Sequence, residues 1–140
     1  MRWATRSGIH VDRAATAWLI VTCVDPDAEF VYVDDPADVP EDATAFDMIG
    51  VELTHHGDDV TFETVLRRYD LVDPVLWRMA EIVHQADVED DRFDAPEAAG
   101  LDVIVRGLTL NNDDETVRQV TGQILDGLYR FLTRETIGLD

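Results

Sequence analysis

Lysine does not occur in this chain at all. The eleven basic side chains are all arginine, and they face thirty aspartates and glutamates over 140 residues, a formal net charge of −19. No basic stripe exists to neutralise phosphates, so direct binding to nucleic acid is not expected. Cysteine is nearly as scarce. Cys23 stands alone, which excludes an internal disulfide and denies the chain a dithiol for multi-electron reduction. It lies in the apolar run W-L-I-V-T-C-V and is expected to be a small buried hydrophobe. Long apolar stretches are missing too. Nothing approaches a membrane span, and no basic segment followed by an apolar one opens the chain, so a cytoplasmic protein without a membrane partner is expected. The nucleophile elbow, the phosphate-binding glycine loop, C-x-x-C and the dinucleotide fingerprint are all absent, which disfavours a flavin- or nicotinamide-dependent reductase.

What is present is a chain of single-domain length, residues 1–140, with 46% hydrophobic residues, enough for a real core. The acids are interspersed with periodic apolar positions rather than gathered in blocks, which speaks against an acidic tail or a nucleic-acid mimic. So large a charge strains a compact fold at low salt. Molar salt shortens the Debye length to roughly 3 Å and relieves that strain, so the composition fits a salt-filled, halophilic cytoplasm.

Residues 2–6 read as a short strand, and residues 12–24 as a largely buried helix that Asp12 can cap and Pro26 ends. E-F-V-Y-V at 29–33 alternates like a strand. An acidic loop follows over 34–42, then a strand over 43–48 and a turn at 57–59. The chain then becomes helical: 61–69, a helix capped by Asp73 and opened by Pro74 up to about Asp87, one opened by Pro96, and a last one after Asn111-Asn112-Asp113. The expected fold is α+β, a small N-terminal β-α-β-β unit packed against a mainly helical C-terminal half.

Three of the four histidines, His55, His56 and His84, fall within residues 54–87, each within a few positions of a carboxylate. His84 and Asp87 are three apart and share a helical face. His55 and Glu63 bracket a Gly-Asp turn that can fold them together. Imidazole with carboxylate is a ligand set for manganese, iron or zinc. His56 reads as solvent-facing, and His10 has no partner in sequence. Arg6, at the end of the first strand, and Asp12-Arg13, opening the first helix, form a second group. It is either an anion seat or a structural Arg–Asp pair locking strand to helix. Asp47 is either a further group facing that cleft or a turn-forming acid.

The segments W-A-T-R-x4-V-D-R-A-A-T-A-W-L-I, D-P-x-A-x-F, F-D, T-H-x-G-x3-T-F-E, I-V-H-x-x-D, P-E-A-x-G-L and D-x-L-Y occur in that order from Trp3 to Tyr129. Together they resemble the chromate-resistance domain, the C-terminal half of ChrB-type proteins. In that family the domain is often joined to a segment credited with chromate-responsive regulation or to a sulfurtransferase-like domain. The resemblance places His55 on the T-H-x-G histidine and raises Glu63 as ligand or general base. The expected reading is a cytoplasmic metal-binding domain whose His55, Glu63, His84 and Asp87 hold one divalent ion, with Glu97 or water completing the shell. Any catalysis would use the metal as Lewis acid or water activator on an oxyanion or related small molecule, with Glu63 as base. Arg6 and Arg13 are the candidate anion-binding pair, supported by Asp12 and Asp47. The rivals are a non-catalytic chromate or metal sensor acting through a partner, and a purely structural polar cluster in an interaction module. Self-association into a homo-oligomer is left open.

Overall fold

A computed structural model of the chain describes residues 1–138. Three parallel strands form its sheet: β1 (Arg2–Arg6) in the centre, β2 (Glu29–Val33) on one side and β3 (Ala43–Ala45) on the other. β1 registers Trp3 against Phe30 and against Thr44. Five α-helices follow the expected order: α1 (Val11–Leu19), α2 (Thr61–Arg68), α3 (Pro74–Asp87), α4 (Glu97–Thr109) and α5 (Asp114–Thr136). The α+β reading of a small N-terminal unit and a helical remainder holds.

α1 is the centre of the molecule. Every residue of it except Arg13 is buried, and it packs against α5, α2 and α3. Its alanines at 14, 15 and 17 let those helices come close, while Trp18 fills the wider gap and satisfies its indole N–H on Asp126 at 2.9 Å. α5 is anchored beside it. The Asp114 carboxylate accepts from the N–H groups of Gly8 and Ile9, and Glu115 accepts from the Tyr32 hydroxyl at 2.7 Å, so one helix end fixes both the β1–α1 turn and β2.

Four local expectations change. The helix expected over 12–24 is α-helical only to Leu19; Ile20–Val24 is a π-type turn, closed by the Asp25 N–H bonding to the Ile20 carbonyl. Cys23 lies on the outer side of that turn and is exposed rather than buried. Asp12 does not cap α1: it is that helix's second residue, and its carboxylate is used elsewhere. The third strand stops at Ala45 instead of reaching 48, because Asp47 takes a left-handed conformation at φ 53° and turns the chain away.

Candidate metal centre

The carboxyl ends of parallel strands are where open α/β sheets gather ligands. β1 ends at Arg6, and Asp47 follows β3 by two residues. Between them lies an open cleft of about 550 Å³ lined by Arg6, Arg13, Asp47, Met48, Ile49, Gly50, Thr54 and His55.

Beside Asp47, α2 begins with N–H groups that no helical carbonyl satisfies, among them those of Val60, Thr61 and Phe62. Each of these finds a carboxylate. Asp12 Oδ2 accepts from Thr61 N and Oδ1 from Phe62 N, both at 3.0 Å, and Glu63 Oε1 accepts from Val60 N at 2.9 Å. Negative charge is favoured at that end of a helix. Asp12, only 2% exposed, is thus held rigid in the core with lone pairs to spare.

Those lone pairs face His55, whose Nε2 lies 3.0 Å from Asp12 Oδ2 and 3.4 Å from Asp87 Oδ2. One ligand atom from each of Asp12, His55 and Asp87 lies within 4.8 Å of the others. Asp47 stands behind them. Its Oδ1 is 4.0 Å from His55 Nε2 and accepts from the Thr61 hydroxyl, and its Oδ2 accepts from Arg13 Nε at 2.9 Å. The electrostatics follow from the crowding of acids. The hydrogen bond to Asp12, reinforced by the charges of Asp12, Asp87 and Asp47, raises the His55 pKa to about 8. Burial, then the neighbouring Asp12, raises that of Asp87 to about 6.

The other expected site residues sit as follows. Arg13 is occupied: besides Asp47, its Nη1 donates to the carbonyls of Arg6 and Gly8, and its Nη2 to that of Asp47. This is the strand-to-helix lock. Arg6 lines the cleft, and no ion pair to its guanidinium is present among the described residues. His84 and Glu63 lie outside the Asp12–His55–Asp87 group and are committed to each other, with His84 Nδ1 2.5 Å from Glu63 Oε1. The other ring nitrogen reaches Asp90 at 2.7 Å, the edge of the ring meets Phe93, and the side chain is fully buried. Burial opposes a charge there, but the bonds to Asp90 and Glu63 overcome it, and the pKa is raised. Glu97 is not in the cluster either; both its oxygens accept from Arg78 Nη2 at 3.0 Å. His56 is exposed and donates to the Glu52 carbonyl, and His10 is exposed at the start of α1. Sequence reasoning missed Asp90, an unremarkable acid in an acidic loop, and Thr61, which the T-F-E motif contained.

The sequence profile of the ChrB C-terminal domain matches residues 3–132. The chain belongs to that family. Protein ChrB of Cupriavidus metallidurans is 40% identical to it over 131 residues, 91% of this chain. The chain spans 40% of that relative's length. No solved structure matches it. The cluster thus lies within a ChrB C-terminal domain. Its residues Asp12, His55, Thr61 and Asp87 all fall on the motifs through which the sequence resembles that family.

Proposed function

We propose that this ChrB-family domain binds one divalent metal ion through Asp12, His55 and Asp87, and uses it to engage a small oxyanion or related molecule in the adjacent cleft. The observation that carries the reading is the convergence of three ligand atoms from three separate elements within 4.8 Å. His55 comes from the turn before α2, Asp12 from α1 and Asp87 from α3. One imidazole and two carboxylates suit manganese, iron or zinc, and three protein ligands leave positions for water or substrate. The raised pKa of His55 supports the same view, since the group already favours a cation, the proton, where a metal would sit. The α2 amides of Thr61 and Phe62 that hold Asp12 would orient that ligand from behind.

The test is metal content and calorimetric titration with Mn²⁺ and Zn²⁺ after chelator treatment, at constant high salt. One equivalent is expected for the wild type and for His56→Ala. Affinity should fall by at least about tenfold in His55→Ala and in Asp87→Asn, since losing even an outer-shell partner of a ligand costs about 10–100-fold. A wild type that takes up no ion, or an Asp87→Asn protein that binds as well as the wild type, would remove the metal reading. Chromate conversion followed with and without the ion then separates a metal-dependent enzyme from a sensor.

A further inference from the structure

The cleft beside the cluster is far larger than a bare tetrahedral anion needs. At about 550 Å³ it falls in the range of roughly 300–1,000 Å³ that holds drug-sized ligands. Its lining is chemically mixed. It includes Arg6, which has no ion pair among the described residues of a chain with thirty acids, and His55. It also includes Met48 and Ile49, and Ile49 is 89% exposed, a large apolar side chain held out into water on the turn that Gly50 closes at φ 86°. A lone exposed isoleucine is ordinary on a surface. Here it lines the same cleft as an arginine that has no ion pair among the described residues.

We propose that this cleft takes a small organic anion: an oxyanionic head, such as a carboxylate or phosphonate, on an apolar body of several carbons. The head would lie between Arg6 and the metal, and the body against Met48 and Ile49. The proposal rests on the metal reading for its charge balance. Without an ion, a single imidazole faces the two carboxylates of Asp12 and Asp87, which outnumber it whatever its protonation, and Asp47 is already neutralised by Arg13, so the cluster repels anions. A divalent cation balances both carboxylates beside a neutral imidazole and leaves the Arg6 charge uncompensated. That remaining charge calls for an anionic head.

The probes are two matched pairs: hexanoate against acetate, and phenylphosphonate against methylphosphonate. Each is titrated into the full chain with and without one equivalent of Mn²⁺, loading being checked independently by elemental analysis. Ligand-proton relaxation reports both affinity and closeness to the ion. The longer member of each pair should bind at least about tenfold tighter, the gain expected from burying a few methylene groups. Arg6→Ala should weaken both members about tenfold or more, as a lost charge-assisted bond does. Ile49→Ser, a change at an exposed position, should remove only the advantage of the longer member. Equal binding within each pair, or indifference to Arg6→Ala, on protein shown to hold the ion would overturn the proposal while leaving the metal reading intact. If no ion is retained, the metal reading fails. The anion proposal, which needs the ion for its charge balance, then falls with it, and the elemental analysis tells this outcome from failure of the anion proposal alone.

Discussion

Asp12 serves two elements at once. Its carboxylate closes the N-terminus of α2 and also faces His55, so one side chain couples the stability of the helix start to the geometry of the cluster. Asp12→Ala strands two buried N–H groups. At about 1–3 kcal/mol for each unsatisfied donor, the variant should lose roughly 2–6 kcal/mol in urea denaturation at fixed salt. Asp12→Asn, which keeps one acceptor oxygen, should lose less. A loss below about 1 kcal/mol for the alanine variant would mean that water replaces the carboxylate at little cost. Local sequence could bring out some of these groups and not others. Arg6, Arg13 and Asp47 stood out because strand ends and helix starts are recognisable, and an acid or arginine there faces the same edge of the sheet. The partnership of Asp12 with amides 49 and 50 residues away has no local signature. Its place at the head of an apolar helix suggested instead a cap for α1.

At the level of elements, the helices and the first two strands were legible because their apolar spacing and their caps Asp73 and Asp113 are short-range signals. What spacing alone obscured is the division of labour along α3. Residues three apart share a face only approximately, being about 60° apart around the axis at 3.6 residues per turn. That difference is enough for Asp87 to look out at His55 while His84 turns in to Glu63. His84 thereby ties α3 to α2 and, through Asp90, to the loop that leads to α4. Removing it leaves the buried Glu63 carboxylate without its partner, so His84→Ala should cost roughly 3–5 kcal/mol. The pH dependence has a definite sign. The folded pKa of His84 is raised, so its contribution is complete below its ordinary value of about 6.5 and is lost as pH rises through the folded value. The stability gap between wild type and His84→Gln should therefore be widest in mild acid and narrow toward pH 9. Denaturation curves across that range would contradict this if the gap widened with pH, as it would for an imidazole kept neutral.

Over the whole molecule, nearly all of the net charge of −19 is carried by the surface, because Asp12 and Glu63 are the only acids buried among the described residues. Most arginines are spent on acids: Arg2 on Asp42, Arg13 on Asp47, Arg67 on Asp59, Arg68 on Glu52, Arg78 on Glu97, Arg106 on Asp102 and Arg118 on Glu115. Even with every arginine so matched, nineteen acids would remain without a counter-charge. Their mutual repulsion is present in the folded state at short range and is relaxed when the chain expands, so it acts against folding. Salt is the remedy. The screening length falls from about 30 Å at 0.01 M to about 3 Å at 1 M, less than the spacing of most surface charges. We therefore expect the melting temperature to climb steadily over that range. The rise should be nearly the same in sodium and potassium chloride, since screening does not depend on which ion supplies it. The buried His84–Glu63 pair is shielded from solvent ions, so His84→Ala should lower the melt by a similar amount at both ends of the range. A melting temperature that stays flat between 0.01 and 1 M salt would show that the acidic surface places no demand on the fold.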